Sequence, residues 1–309
     1  MTNISACILS YNRADYLCEA IESVLKQTYL PTEILIFDNG SDQAVFDRVR
    51  PFLSLGVVWV GSDINHSAMW NFRRAVMTAK EDFLFVLHDD DRLCPEFIEK
   101  QFNFLKSNPE IGAVTCNGYL INNLGQRNGK LLRQDVNPEG LEIYKTSAEV
   151  AIRYASDSCL PFSPVVYRSK FIRTVKPREE FGKVVDAVLF CELANLASLA
   201  YQLHPLYECR THESQDSHFF PLAELNKLTA YFETETTGVP AICKELKQLL
   251  VRQHTSRQLM KILMSISFPF KVNQFFSEIL ATRHAKFKYS IVLQLFLTYL
   301  FKKITFKNL

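Results

Sequence analysis

Three consecutive aspartates, Asp89, Asp90 and Asp91, stand directly after the apolar run of residues 83–87. A run without polar alternation is typical of a strand buried on both faces, as in a parallel sheet covered by helices. Adjacent carboxylates repel one another, so a folded chain tolerates them best in water or around a cation, and their oxygens suit Mg²⁺ or Mn²⁺. The motif therefore predicts a divalent-cation site where the strand ends. A solvated acidic turn that caps a helix near Pro95 is the alternative.

The elements that must position these carboxylates alternate along the chain. Apolar runs predict strands at residues 4–9, 33–37, 57–60, 83–87 and 112–116, and helical periodicity predicts helices at residues 14–27, 68–79 and 95–105. Strands that alternate with helices indicate βαβ units, and therefore an α/β fold with a mainly parallel sheet flanked by helices. Ligands of such sheets bind outside the carboxyl ends of the strands, which is where the aspartates lie.

Composition and missing motifs narrow the function. The chain has 309 residues, 48% of them apolar, which allows one large domain with an appendage. No GxGxxG follows the first strand and no GxxxxGK[ST] occurs, so any bound phosphate must be held through a metal. The eight cysteines include no CxxC pair, and we expect them to be buried thiols of a reducing compartment.

Four segments, in order, resemble the GT-A-fold glycosyltransferases of family 2: residues 10–17, 20–29, 33–41 and 87–95. The first begins Ser-Tyr-Asn-Arg and the last reads Leu-His-Asp-Asp-Asp-Arg-Leu-Cys-Pro, and the resemblance covers residues 3–220. In that family the first strand and its turn hold the nucleotide, an aspartate after the second strand reads the base, and the acidic motif holds a divalent metal. The resemblance therefore implies a nucleotide-sugar donor, with a UDP-sugar favoured, and Mn²⁺ or Mg²⁺ as cofactor.

The resemblance also implies roles for single residues. Nucleotide-sugar contacts fall on Ser10, Tyr11, Asn12, Arg13, Asp38, Asn39, Asn71, Arg73, Asp89 and Asp90. Asp38 matches the aspartate that accepts a hydrogen bond from the base, and Asp91, with Asp89 near it, matches the metal ligand. Relatives often carry an acidic residue where this chain has His88, so a ligand role is not carried over to His88.

Residues 65–75 match the family's corresponding segment less well. Ser67 replaces a glycine, Phe72 stands where arginine is common, and Arg73 stands where asparagine is common. A guanidinium can pair with phosphate oxygens through two bonds, so we expect Arg73 or Arg74 to reach the diphosphate. A solvent-exposed helix face is the alternative for both arginines.

Two further residues are assigned by the resemblance in the second half of the chain. Asp186, a lone carboxylate in an apolar run, matches the family's catalytic base, and the alternative is a helix cap that contributes about 1 kcal/mol. His212 matches a histidine that lies near the diphosphate and the metal, with an ordinary polar histidine as the alternative.

The C-terminal part of the chain is basic. Residues 241–309 hold 12 Lys and Arg against 2 Asp and Glu, a net charge of +10, whereas the first 240 residues carry −8. Helical periodicity predicts a helical appendage over residues 221–309, after a domain of residues 1–220. The uncharged run of residues 289–301 would span about 20 Å as a helix, short of the ~30 Å hydrocarbon core. It predicts a helix on an anionic membrane surface, or a core helix docked on the catalytic domain.

The combined hypothesis is an inverting, metal-dependent glycosyltransferase that acts on a glycan or polyprenyl-diphosphate-linked acceptor in cell-surface polysaccharide (O-antigen or capsule) synthesis. Met1 runs almost directly into a strand, so we expect no signal peptide and a cytoplasmic protein, peripheral on the inner face of the cell membrane where its tail attaches. Nucleic acid also fits a basic tail, but a lipid-linked acceptor explains the tail without it, and no nucleic-acid partner is expected.

Two alternatives remain open. A nucleotidyltransferase would require a glycine-rich basic loop after the first strand, and residues 10–15 contain no glycine. A non-catalytic sugar-nucleotide-binding scaffold on the same fold is kept open by Phe72 and His88, which both depart from the family's pattern.

Overall fold

The computed structural model describes residues 3–134, 136–155, 160–211 and 221–235. The predictions for His212 and for the uncharged run of residues 289–301 lie outside the described residues, as does most of the predicted helical appendage.

The strands, in chain order, are β1 (Ile4–Ser10), β2 (Glu33–Asp38), β3 (Val57–Val60), β4 (Phe83–His88), β5 (Arg92–Leu93), β6 (Ile111–Ile121), β7 (Arg127–Leu131), β8 (Leu141–Tyr144), β9 (Val165–Arg168) and β10 (Ser198–Arg210). The helices are α1 (Ala14–Leu25), α2 (Gln43–Leu53), α3 (Ala68–Thr78), α4 (Phe97–Ser107), α5 (Ser147–Ala155), α6 (Ser169–Ile172), α7 (Val185–Ala194) and α8 (Leu222–Thr234), with a 3-10 helix at Glu179–Val184. Every predicted strand and helix up to residue 116 is present, with shifted ends.

In the described part of the chain the strands form one sheet, in the order β3-β2-β1-β4-β9-β6-β10-β5, with β7 on β6 and β8 on β10. β3, β2, β1 and β4 are parallel neighbours, as are β6 and β10, while β9 runs antiparallel between β4 and β6. The predicted α/β fold with a mainly parallel sheet is therefore confirmed. Because Ser10 pairs with Asp38 and Leu9 with His88, the carboxyl ends of β1, β2 and β4 lie along one edge.

Helices cover both faces of the sheet. Ile4, Ala6 and Ile8 of β1 pack in a core shared with α1, α2 and α4. On the opposite face of the strand, the Sγ of Cys7 lies 4.0 Å from the carbonyl oxygen of Ala75 in α3. Burial on both faces explains why the central strands are apolar throughout and show no alternation.

Three of the elements that the sequence did not predict are α2, β7 and β10. α2 buries Val45 and Val49, which stand at helical spacing, and contains Pro51 near its C-terminal end, where a proline predicts a helix break. β7 lies within the polar stretch of residues 122–140 and pairs with the end of β6. β10 is 13 residues long and shifts register around Pro205, because proline has no N–H to donate to the ladder.

α8 packs against the 3-10 helix and α7. Its residues Leu228, Tyr231 and Phe232 are buried, and the ring of Tyr231 lies 5.5 Å from the ring of Phe181. The division of the chain at residue 220 stays a prediction. No helix in the described ranges combines the length and apolar character that crossing a membrane requires.

Candidate active site

The turn that follows β1 is fastened to the turn that follows β2. Asn12 has a φ of 52°, a conformation that asparagine adopts more readily than most residues. Its N–H donates to the Oγ of Ser41 at 2.8 Å, and its Oδ1 accepts from the N–H of Asp42 at 2.8 Å. Tyr11, the preceding residue, is 41% exposed. The two turns therefore form one rim at the carboxyl ends of β1 and β2.

Three buried polar atoms at this rim have no hydrogen-bond partner among the described residues: Ser10 Oγ, Asp38 Oδ1 and Asn71 Oδ1. The other oxygen of Asp38, Oδ2, accepts from the N–H groups of Gly40 at 3.1 Å and Ser41 at 2.9 Å. The Nδ2 of Asn71 donates to a main-chain oxygen of β2 at 2.8 Å. One side-chain atom of Asp38 and one of Asn71 are therefore held by hydrogen bonds, while the Oδ1 of each has no partner. Because buried polar atoms are nearly always hydrogen-bonded, the open oxygens indicate a ligand.

Asn39 is buried and fixes the neighbouring loop. Its Nδ2 donates to Asn65 Oδ1 at 2.8 Å and to the carbonyl of His66 at 2.9 Å, and its Oδ1 accepts from the N–H of His66 at 3.2 Å. The same loop passes close to Gly40, where an added Cβ would lie 2.5 Å from the main-chain carbon of Ile64. Asn39 therefore shapes the rim through the loop, and its predicted contact with the nucleotide stays a prediction.

The two arginines of α3 are bound to main-chain oxygens. Arg73 donates to two carbonyl oxygens in the loop after α6, both at 2.9 Å. Arg74 donates to the carbonyl of Asp38 at 2.6 Å, and its guanidinium lies 4.9 Å from the ring centroid of Trp70. Burial lowers the pKa of Arg74. Since both guanidinium groups are engaged with the protein, contact of either with a diphosphate stays a prediction.

Asp89 lies inside the fold and is paired with Arg13. Its Oδ2 accepts from the N–H of Tyr11 at 3.0 Å, and its Oδ1 lies 3.0 Å from a guanidinium nitrogen of Arg13. The same nitrogen lies 2.5 Å from Asp90 Oδ2. Burial raises the pKa of Asp89 to about 7, and the charge of Arg13 opposes the shift. Asp89 therefore ties the acidic turn to the β1 turn, and its predicted contact with a metal stays a prediction.

His88, Asp90 and Asp91 place their ligand atoms within 4.8 Å of one another, an arrangement that could hold a metal ion. Burial and the charge of Asp90 raise the pKa of Asp91 well above its usual value, and the hydrogen bond from the N–H of Arg210 opposes the shift. Burial lowers the pKa of His88, which favours the neutral imidazole. A cation would relieve the repulsion between the carboxylates. Two carboxylates and an imidazole therefore fit the divalent metal that the resemblance implies.

Sequence reasoning missed Arg210, which holds the acidic turn. Its side chain is fully buried, its Nε donates to the carbonyl of Asp90 at 2.9 Å, and its guanidinium pairs with Glu19 at 2.6 Å. Its N–H donates to Asp91 Oδ1 at 3.1 Å. A buried charge requires such partners. The signal in the sequence is a lone arginine at the end of the long strand β10, but its partners are distant in the chain.

Asp186 lies in the first turn of α7, where Val184 is the N-cap residue and no side chain caps the helix. The hydroxyl of Tyr154 in α5 donates to Asp186 Oδ2 at 3.0 Å. Burial raises the pKa of Asp186 to about 6, and hydrogen bonds from Ala187 and Tyr154 oppose the shift. A partly buried carboxylate with this pKa is able to accept a proton near neutral pH.

Phe162 links α7 to the acidic turn. Its ring lies 6.0 Å from the ring of His88 and 6.0 Å from the ring of Phe190. Asp186 and Phe190 are about one turn apart on α7. Phe72, which stands where relatives often carry arginine, packs 5.2 Å from the same ring and is buried. The departure at Phe72 therefore has a packing role between α3 and this aromatic cluster.

The chain has relatives among known proteins. The model of glycosyl transferase family 2 matches residues 5–175, more than half of the chain. Over 98 residues the chain is 35% identical to the uncharacterized glycosyltransferase YwdF of Bacillus subtilis, covering 31% of this chain and 36% of YwdF. Over 107 residues it is 26% identical to WfaP of Escherichia coli, a UDP-Glc:alpha-D-GlcNAc-diphosphoundecaprenol beta-1,3-glucosyltransferase, covering 35% of this chain and 43% of WfaP. The chain thus spans less than half the length of these curated relatives.

A solved structure has the same fold. The structure of S. aureus TarS 1-349 in complex with UDP-GlcNAc superposes with a TM-score of 0.60 at 14% identity, covering 89% of this chain and 78% of TarS 1-349. This likeness confirms the GT-A architecture of the sheet and its helices. The family model, which matches residues 5–175, shows that the chain belongs to glycosyl transferase family 2.

Proposed function

We propose that the protein is an inverting, metal-dependent glycosyltransferase whose donor is a nucleotide sugar, with a UDP-sugar favoured. The observation that carries the proposal is the buried, unpartnered Oδ1 of Asp38 at the carboxyl end of β2. An oxygen acceptor held in this position suits the N3–H of a uracil ring. The proposal is supported by the TarS structures, which were solved with UDP and with UDP-GlcNAc.

The rim around Asp38 suits the rest of a nucleoside. Tyr11 offers an exposed ring, and Ser10 Oγ and Asn71 Oδ1 are free to accept or exchange hydrogen bonds with a ligand. Asn12, Asn39 and Arg13 hold the turns in place by the contacts described above. We assign donor binding to this rim, with the diphosphate directed toward the acidic turn.

Asp90 and Asp91 of the acidic turn would hold Mn²⁺ or Mg²⁺, with His212 as a further proposed ligand from the resemblance. A bound divalent ion would neutralise the charge that develops on the departing diphosphate. Arg210 holds Asp90 and Asp91 in position for this role, because it bonds to the main chain of one and the side chain of the other.

Asp186 is the proposed general base. It takes the proton from the acceptor hydroxyl while that oxygen attacks the anomeric carbon on the face opposite the diphosphate. A single displacement of this kind inverts the anomeric configuration and requires no covalent intermediate. The hydroxyl of Tyr154 holds Asp186 in place by donating to its Oδ2.

A glycan or a polyprenyl-diphosphate-linked sugar is the proposed acceptor, in cell-surface polysaccharide synthesis. The name of WfaP describes a diphosphoundecaprenol acceptor for that relative. The net charge of +10 over residues 241–309 supports attachment to an anionic membrane, and therefore a peripheral location on its inner face.

The experiment that tests the donor compares nucleotides that differ at one ring position. Uracil donates through N3–H, whereas the N3 of cytosine only accepts, so UDP with Mn²⁺ should raise the melting temperature and CDP should raise it much less. Asp38→Asn should remove the difference between UDP and CDP in the shift of the melting temperature. Asp63→Asn, a control at an exposed aspartate, should keep that difference. Equal stabilisation by UDP and CDP contradicts the proposal. Binding of UDP without hydrolysis or transfer of any UDP-sugar favours the non-catalytic scaffold.

A further inference from the structure

His88 brings a nitrogen donor to the acidic turn. Its ligand atom lies within 4.8 Å of those of Asp90 and Asp91. The N–H of His88 donates to Ser163 Oγ at 2.9 Å, which fixes the main chain at the end of β4. The ring is held 6.0 Å from the ring of Phe162. Within the described ranges, no hydrogen bond occupies the imidazole nitrogens of this side chain, so they are open to a ligand.

The remaining aspartate of the motif is engaged elsewhere. One oxygen of Asp89 pairs with Arg13 and the other accepts the N–H of Tyr11. Asp90 also pairs with Arg13, through Oδ2, but Asp90 and Asp91 each offer a carboxylate oxygen that groups with the imidazole of His88, and Asp89 is not part of this group. The donor set of this chain is one nitrogen and two oxygens, not three oxygens.

We infer that His88 ligates the bound cation through an imidazole nitrogen and makes this site select Mn²⁺ over Mg²⁺. The inference rests on the proposed function in one respect, namely that a divalent ion binds at the acidic turn. Mg²⁺ is held by oxygen ligands and keeps several waters, whereas imidazole ligates transition ions readily. Mn²⁺ accepts both donor types, so the nitrogen adds affinity for Mn²⁺ that Mg²⁺ does not share.

Pulsed electron paramagnetic resonance of bound Mn²⁺ tests the nitrogen directly. The full chain is prepared with natural histidine and with ¹⁵N-labelled histidine, and spectra are taken with Mn²⁺ alone and with Mn²⁺ plus UDP. A histidine nitrogen bonded to Mn²⁺ gives a ¹⁴N modulation of the electron spin echo, which the ¹⁵N label replaces. We expect this replacement in the wild-type protein. The measurement needs neither activity nor a variant.

Three variants assign the nitrogen to one histidine. His88→Asp should lower the ¹⁴N modulation by the contribution of one nitrogen, while His212→Asn should leave the contribution of His88 in place. His204→Asn is the matched control on β10, where the ring contacts Lys100 at 3.5 Å. Competition titrations measure the ratio of the Mg²⁺ to the Mn²⁺ dissociation constant, which should fall at least about tenfold in His88→Asp. Mutation of residues that only orient metal ligands typically lowers metal affinity 10- to 100-fold, and loss of a ligand should have an effect at least as large. Circular dichroism confirms that each variant is folded.

The outcomes separate this inference from the proposed function. Mn²⁺ that binds without histidine modulation overturns the role of His88 and leaves a metal-dependent transferase intact. If the modulation persists in His88→Asp and disappears in His212→Asn, the histidine ligand is His212, and the role inferred for His88 is wrong. An unchanged metal preference in folded His88→Asp overturns the selectivity. If neither ion binds with or without UDP, the metal dependence of the proposed function fails as well.

Discussion

Replacing Asp186 by asparagine should make the protein more stable and nearly inactive. Burial raises the pKa of Asp186 from 3.8 to about 6, so the folded state binds this proton more tightly than the unfolded state does. The ionised carboxylate therefore lowers stability above pH 6, and this penalty is lost as the pH falls toward 4. Two units of pKa correspond to about 3 kcal/mol, an upper bound because the side chain is partly exposed. Asparagine carries no charge and keeps an oxygen for the hydroxyl of Tyr154.

Urea unfolding at pH 5 and pH 8 measures the effect. Asp186→Asn should gain stability at pH 8 and only about half as much at pH 5, whereas Asp63→Asn, an exposed control, should show no such dependence. In the wild type kcat/KM should rise with pH through a midpoint near 6, because the base must be ionised. Asp186→Asn should lower kcat by 10²–10⁴-fold with donor affinity kept, and Glu192→Gln should not. A stability difference that is equal at both pH values refutes the burial argument, and near-normal turnover moves the base elsewhere.

The remaining predictions concern the acidic turn and the tail. Asp91→Asn should abolish transfer and weaken UDP binding in Mn²⁺ while stabilising the metal-free protein, because it removes a repelling charge; full wild-type activity in excess EDTA contradicts this role. Arg210→Lys keeps the positive charge but loses the guanidinium group that bonds to both Asp90 and Glu19, and it should weaken Mn²⁺ binding about 10- to 100-fold. Glu19→Gln should weaken Mn²⁺ binding by less. Unchanged Mn²⁺ affinity in both folded variants contradicts the positioning role of Arg210. Removal of residues 286–309 should weaken a salt-sensitive binding to anionic liposomes, with donor hydrolysis kept; a duplex DNA competitor is the control, and indifference of the full chain to these liposomes at low salt disproves the idea.

The sequence was sufficient for β1, β2, β3, β4 and β6 because buried strands are apolar over most of their length. The runs that end at Ser10, Asp38 and His88 predict strands that the structure places side by side. α2 was missed because Pro51 inside the segment predicts a helix break, although Val45, Val49 and Phe52 recur at helical spacing. β7 was missed because its exposed residues, such as Arg127 and Lys130, have no apolar side facing a core.

Side-chain partners could not be predicted in the same way. The three aspartates look alike in sequence, yet Asp90 and Asp91 group with His88 and Asp89 does not. Arg13 pairs with Asp89 and Asp90 but not with Asp91. Which carboxylate is buried depends on the direction of the chain at the turn, and no local pattern encodes it. The same holds for Arg73, whose partners follow α6, a hundred residues further along. The residue types and their spacing indicate a metal and nucleotide site at this edge of the sheet. Which residue bonds to which partner is decided by tertiary packing.

The bond between Arg210 and Glu19 has a consequence for how the protein is made. The two residues are 191 positions apart, and at about 5–20 residues per second a ribosome needs roughly 10–40 s to travel from one to the other. During that interval β1, β2 and β4 can already pair, but the acidic turn lacks the side chain that fixes it. The nascent protein therefore acquires a nucleotide rim early and a finished cation site only when β10 has been synthesised. Stalled chains that end before residue 198 should bind Mn²⁺ far more weakly than chains that extend past residue 235, and equal binding by both would show that the turn forms without its distant partner.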